Sequence, residues 1–185
     1  MKNRAVFFDR DDTLIKNVPY LGDPSQVRLM PHARESLDRL QKKGYLLFIV
    51  SNQSGVGRGY ITRDQVASVN EEMLRQLGSS YFKKIYSAFS APGDSLDDGR
   101  KPNPKLVLEA AAEYDIDLSQ SYLIGDRLSD IQCAENAGCQ SILLMTGDYH
   151  DEKSDASSSA HHVAHTLEEA TNWILSEKID PKKNS

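Results

Sequence analysis

Asp9 and Asp11 stand two residues apart where the apolar run Ala5-Val6-Phe7-Phe8 gives way to Asp9-Arg10-Asp11-Asp12-Thr13. A short apolar run cut off by charge reads as a buried parallel strand. While strand geometry persists, positions 9 and 11 face the same side of the chain. One carboxylate could attack an electrophile while the other moves protons. With no adjacent base the pair repels itself, so it needs a cation to stay doubly ionised, and hard oxygen ligands select Mg2+.

Three further segments carry reactive or anion-binding types. Ser51-Asn52-Gln53-Ser54-Gly55-Val56-Gly57-Arg58-Gly59 follows the apolar run Leu46–Val50. Its glycines let backbone N–H groups approach an anion, while Arg58 offers a fork of donors. In Gly99-Arg100-Lys101-Pro102-Asn103-Pro104, two prolines restrict the backbone around two cations, and a lysine can bridge a carboxylate and a phosphoryl oxygen. Ser121-Tyr122-Leu123-Ile124-Gly125-Asp126-Arg127-Leu128-Ser129-Asp130 is again an apolar strand running into Gly-Asp. Asp130, one helical turn on, is placed to orient Lys101 or the metal site, or to cap the following helix. Each segment alone has an ordinary reading: an acidic turn, a flexible loop, a basic turn, a cap. Four of them, each at or shortly after a strand end, would converge on one crevice in a doubly wound sheet.

The elements that must position them are legible as an alternation. Strand-like runs recur at Ala5–Phe8, Tyr45–Val50, Ile85–Ala91, Ser121–Ile124 and Gln140–Met145, with helical patterns between most of them. This predicts an α/β fold, a doubly wound parallel sheet with helices on both faces. Helices are expected after Pro31 to about Lys43, from the capping-box pattern at Thr62 to about Leu77, from Pro104, through Ala134, and from a second capping-box pattern at Thr166 to about Leu175. The broken stretch Ile15–Met30 suits a small hairpin or flap rather than a large cap. The cluster His161-His162-Val163-Ala164-His165, beside a serine run, reads as a surface turn rather than a metal site.

With 185 residues, 39% of them apolar, the chain is expected to form one domain over 1–176, followed by a flexible tail at 177–185. A net charge of −5 argues against a nucleic-acid surface. Cys133 and Cys139 give no disulfide framework and no zinc pattern, and suit small apolar packing. No run approaches the roughly 18 apolar residues of a membrane span. The expectation is a cytoplasmic monomer.

Asp9-x-Asp11-x-Thr13, Ser51, Lys101 and Gly125-Asp126-x-x-x-Asp130 resemble, in order, the four motifs of the haloacid dehalogenase (HAD) superfamily phosphatases, over residues 5 to about 146. The resemblance implies that Asp9 is the nucleophile that becomes an aspartyl-phosphate, and that Asp11 is the general acid and base. It implies Mg2+ on Asp9, Asp126 and Asp11, the last through its backbone carbonyl. Ser51 and Lys101 would grip the phosphoryl group, and Thr13 would orient the first loop and border the substrate. Ser51 to Gly55, Arg58-Gly59-Tyr60 and Arg100-Lys101-Pro102 look most like the nearly capless phosphatases of D-glycero-D-manno-heptose 1,7-bisphosphate, whose relatives act on histidinol phosphate. On that likeness Asn52, Gln53, Arg58, Arg100 and Arg127 are the expected substrate contacts, with Arg58 and Arg100 facing the non-reacting phosphate or the sugar hydroxyls.

Two departures stand out. Such phosphatases commonly carry a zinc loop of three Cys and one His before Arg-Lys-Pro. Ala91–Gly99 has none of these, so no structural zinc is expected and the short loop would be held by Pro92, Gly93 and its turn residues. Asp12 stands where the family usually has Gly; Asp tolerates left-handed backbone, and its side chain is expected to point to solvent. The resemblance implies a small phosphorylated metabolite as partner; the rival readings are a histidinol-phosphate phosphatase, a nucleic-acid 3′-phosphatase and an inactive binding module. A phospho-accepting receiver is excluded because its acceptor Asp belongs on a middle strand, where this chain has Ser51.

Overall fold

The structure, a computed structural model, describes residues 2–78, 80–94, 98–147 and 150–176; the expected tail at 177–185 lies outside them. β1 (Ala5–Phe8) is four apolar residues, all fully buried, because helices cover both faces and leave no wet side. It lies inside a parallel sheet with β2 (Leu46–Asn52), β3 (Phe82–Ala88), β4 (Tyr122–Gly125), β5 (Gln140–Leu144) and β6 (His162–Ala164), in the order β3-β2-β1-β4-β5-β6. The winding changes direction between β1 and β4, and that switch point opens a crevice at the strands' carboxyl ends.

Strand alternation divides the core into two layers. Val6 and Phe8 pack with Leu37 and Leu40 of α1 (Ala33–Lys42), with Val69 and Met73 of α3 (Arg63–Leu77), which follows the single turn α2 (Ser54–Gly57), and with Ile174 of α7 (Leu167–Ser176). Ala5 and Phe7 pack on the other face with Leu106, Val107 and Ala110 of α4 (Lys105–Glu113) and with Cys133 and Ala134 of α5 (Leu128–Ala137). Both cysteines are buried there, and burial pushes each thiol up to about 12, which suits an apolar filler.

The local signals act as written. Thr62 accepts from the Gln65 amide at 3.2 Å while Gln65 Oε1 accepts from the Thr62 amide at 2.9 Å, and Gly78 ends α3 at φ 82°. At Thr166 only half the box forms: Thr166 Oγ1 accepts from the Glu169 amide, but Glu169 reaches back to the His165 amide. The flap base is a short antiparallel ladder, with an Ile15–Leu29 bridge and Lys16 N–H donating to the Arg28 carbonyl at 2.8 Å.

Three expectations need correction. β3 begins at Phe82, not Ile85, because an edge strand accommodates Lys83 and Lys84, which interrupt the apolar run. The serine-rich stretch forms α6 (His150–Ser159), whose Ala156 packs on Ile131 and Leu143. The histidine cluster is not a surface turn: His162 to Ala164 form the edge strand β6 paired with Ile142 to Leu144. His162 stacks flat on Trp173 at 4.6 Å, and the Ser141 amide donates to His161 Nδ1 at 3.2 Å. Three residues are too few to show a period in the sequence.

Candidate active site

The crevice is a cleft of about 360 Å3 lined by the ends of β1, β2 and β4, by the flap and by the Arg100-Lys101 turn. Asp9 leaves β1 with its amide donating to the Ile124 carbonyl of β4 at 2.9 Å, which fixes its carboxylate at the switch point. Lys101 comes in from the far side. Its Nζ lies 2.7 Å from Asp9 Oδ1, 2.6 Å from Asp130 Oδ1 and 2.6 Å from the Val50 carbonyl. Asp9 and the Val50 carbonyl accept hydrogen bonds from it, and Asp130 is paired with it by charge at contact distance. Burial alone would push the Lys101 pKa down, but the carboxylates of Asp130 and Asp9 outweigh it and hold it above the usual lysine range.

Asp130 serves both roles weighed from the sequence. It pairs with Lys101 and also accepts from the Arg127 amide at 3.1 Å, at the start of α5. Gly125 is required for this: a Cβ there would lie within 2.5 Å of the Asp130 carboxylate and Cβ. Burial raises the Asp130 pKa in spite of Lys101.

Asp126 has no such partner. It is 2% exposed, and among the described residues neither carboxylate oxygen accepts a hydrogen bond. Burial, with Asp9 and Asp130 adding repulsion, pushes it up to about 9. Oxygens of Asp9, Asp126 and Asp130 all come within 4.8 Å of one another. Ionised together, three carboxylates against one ammonium would carry two uncompensated negative charges, and the donors are all oxygen. The residues therefore fit a hard divalent cation. Because Asp130 is committed to Lys101 and the Arg127 amide, Asp9 and Asp126 are the pair that offers ligands.

The ligand expected from Asp11 is its backbone carbonyl; its carboxylate is occupied elsewhere. Arg10 Nη2 and Nε donate to it at 3.0 and 3.2 Å, and Gln53 Nε2 donates at 3.0 Å. Gln53 lines the cleft but is buried, donates to Ser51 Oγ at 2.7 Å and accepts from Arg10 at 2.9 Å. Ser51 thus keeps its own hydroxyl proton for another acceptor. Thr13 is fully buried, its hydroxyl has no hydrogen-bond partner among the described residues, and it lies outside the cleft lining, so, contrary to expectation, it does not border a substrate. Asn52 lines the cleft, but its amide is used on the Lys101 backbone, donating to the carbonyl at 3.1 Å and accepting from the N–H at 2.9 Å. Asp12 does not point to open solvent: it lines the cleft, and its Oδ1 accepts from the Asn17 amide at 3.1 Å.

Arg58, Arg100 and Arg127 line the mouth of the cleft. Burial lowers the Arg100 pKa; Asp98 opposes the shift, and Arg127 and Arg58 add to it. The turn before it is held by carboxylates: Asp98 accepts from the amides of Phe89 and Ser90 and from the Ser90 hydroxyl, and Asp94 accepts from the Ala91 amide. The expected Pro92–Gly93 turn is present, with Gly93 at φ 90°, but side-chain oxygens supply much of the hold.

Sequence reasoning passed over Arg10, a 1% exposed guanidinium that also donates to Asn70 of α3 at 3.0 Å. Its signal was available: a cation lodged between two carboxylates at a buried strand end is rarely left unpaired.

Residues 99–170 match a family profile described as HAD-hydrolase-like. The chain is 32% identical to a D-glycero-D-manno-heptose-1,7-bisphosphate 7-phosphatase of Thermosynechococcus vestitus, with 94% of this chain and 96% of that protein covered. It is 34% identical to the D-glycero-beta-D-manno-heptose-1,7-bisphosphate 7-phosphatase of Haemophilus ducreyi, covering 80% and 86%. The crystal structure of the D,D-heptose 1,7-bisphosphate phosphatase of B. bronchiseptica, complexed with magnesium and phosphate, superposes with a TM-score of 0.83 at 25% identity, covering 93% of this chain and 98% of that one.

Proposed function

This chain belongs to the D-glycero-D-manno-heptose-1,7-bisphosphate 7-phosphatase family of HAD-like phosphatases, and from that premise we propose that it removes the 7-phosphate of the heptose bisphosphate through an aspartyl-phosphate on Asp9. The observation that carries this reading is the unpartnered Asp126 carboxylate beside an Asp9 that is already oriented by a buried lysine.

Asp9 attacks phosphorus with one carboxylate oxygen and takes the phosphoryl group as an acyl phosphate. Asp11 gives a proton to the departing sugar oxygen, then takes one from the water that hydrolyses the intermediate. Arg10 and Gln53 keep its carboxylate aimed between these steps. When bound at Asp9 and Asp126, Mg2+ supplies positive charge that lets an acidic site receive a phosphate. Lys101 lies at hydrogen-bond distance from Asp9, so its ammonium is placed to meet the phosphoryl group as the carboxylate takes it. Ser51 donates its free proton to the same group. Arg58, Arg100 and Arg127 are suited to the phosphate that does not react.

The test is phosphate release with Mg2+ from heptose 1,7-bisphosphate, histidinol phosphate and a 3′-phosphorylated oligonucleotide. Turnover should favour the first. Turnover of the oligonucleotide alone would overturn the substrate assignment, and a fully active Asp9→Asn variant would overturn the mechanism.

A further inference from the structure

We propose that Asp12 is a positioning residue that pins the flap segment 17–21 to the nucleophile loop and so fixes the wall of the leaving-group site. Asp12 sits at φ 55°, a left-handed conformation that glycine adopts at lower cost. A side chain kept in such a conformation points to a compensating role for that side chain. Here the role is visible. Oδ1 accepts from the Asn17 amide, the first residue of the flap that lines the cleft. The main chain of Asp12 is held on both sides: its N–H donates to the Ile15 carbonyl at 2.8 Å, and its carbonyl accepts from Thr146 Oγ1 at 2.6 Å. One residue therefore joins the turn after β1, the flap and the segment leaving β5.

The rest of the flap is anchored elsewhere, which gives this tie its leverage. Its base is the ladder at Ile15 and Leu29. Its far end is Tyr20, also left-handed at φ 52°, with its ring edge-on to Tyr60 at 4.6 Å. That ring lies so close to Gly55 that a Cβ there would stand 2.9 Å from Tyr20 Cδ1. Between base and tip, Asn17 to Pro19 form one side of the cleft, and the Asp12 carboxylate draws the start of that side toward Asp9 and Asp11. Asp12 itself lines the cleft, with Oδ2 on the side where a Cβ on Gly147 would meet both it and Asp126 Oδ2, while Oδ1 carries the tie to the flap; the effect of losing the tie should fall on binding of the leaving group more than on the chemical step.

Asp12→Gly and Asp12→Asn separate the contributions, because asparagine keeps the acceptor oxygen and loses only the charge. Hydrogen exchange of the full-length protein should show the amides of Asn17, Val18, Tyr20 and Leu21 exchanging about fivefold faster in Asp12→Gly and near the wild-type rate in Asp12→Asn. With the heptose bisphosphate, Asp12→Gly should raise KM about fivefold, with a smaller rise for acetyl phosphate, whose leaving group is too small to reach the flap. Unchanged exchange in Asp12→Gly would overturn the proposal. So would an Asp12→Asn variant as loosened as the glycine one, with Mn2+ affinity by electron paramagnetic resonance lowered to match, because charge rather than the tie would then be the cause. The kinetic arm rests on the proposed substrate; the exchange arm does not, so the two readings can fail separately.

Discussion

Replacing Asp126 by asparagine should make the metal-free protein more stable while abolishing its response to Mg2+. The unfolded carboxyl ionises at its ordinary 3.8, whereas the folded one is pushed up to about 9. At pH 7 the roughly 3-unit gap between 3.8 and 7 corresponds to about 4 kcal/mol favouring the unfolded state. Asparagine removes that term. It leaves an amide where neither oxygen had a partner, which costs about 1–3 kcal/mol. The net gain is about 1–3 kcal/mol, or roughly 2–12 °C in Tm for a domain of this size. The sign with pH follows from the raised carboxyl pKa: its destabilisation is absent below about 4, grows as pH rises, and levels off near 9. Wild-type Tm without metal should therefore fall from pH 5 to pH 8, and the variant should fall less. At 100 times its dissociation constant Mg2+ should stabilise the wild type by about 2.7 kcal/mol and the variant hardly at all. Thermal melts in EDTA and in Mg2+ measure all of this. An Asp126→Asn protein that melts lower than wild type in EDTA at pH 7–8, yet still gains from Mg2+, would refute the reasoning.

Lys101→Met should abolish turnover and destabilise the fold by about 3–5 kcal/mol, read as a lower urea midpoint, because two buried carboxylates lose their counterion. Gly125→Ala should cost about 1–3 kcal/mol and depress activity, since the new methyl collides with the Asp130 carboxylate that holds Lys101. For Asp98, burial opposes ionisation, but hydrogen bonds from Ser90 and Phe89 prevail and hold its pKa below 3.8. Its stabilisation is present above that value and lost as pH falls through the folded pKa, so the Tm gap between wild type and Asp98→Asn should be widest near neutrality and close below about pH 4.

Much of the sheet was legible because buried parallel strands announce themselves as unbroken apolar runs, as Ala5 to Phe8 and Leu46 to Val50 do. Edges escaped the same logic. Lys83 and Lys84 hid the start of β3, and β6 is too short to carry a pattern. In the site, the residues at strand ends were found because geometry forces strand ends together. What was lost is the set of contacts beneath them. Whether Gln53 faces a substrate or Arg10, and whether Asp12 faces water or Asn17, depends on side-chain direction after the strand has ended, where no period constrains it.

Lys101 is suspended from β2. Asn52 grips both polar groups of its backbone, and the Val50 carbonyl receives its ammonium, so the strand that delivers Ser51 also sets the height and heading of the lysine. The stretch leading up to Lys101 is thereby relieved of aiming it. That stretch can be trimmed, lengthened or rebuilt around a different stabilising device, as the aspartate-braced turn at 89–98 illustrates, while the cation keeps its register with the nucleophile. The cleft thus separates a part that evolution or an engineer can exchange freely from a part whose alignment is inherited from the sheet.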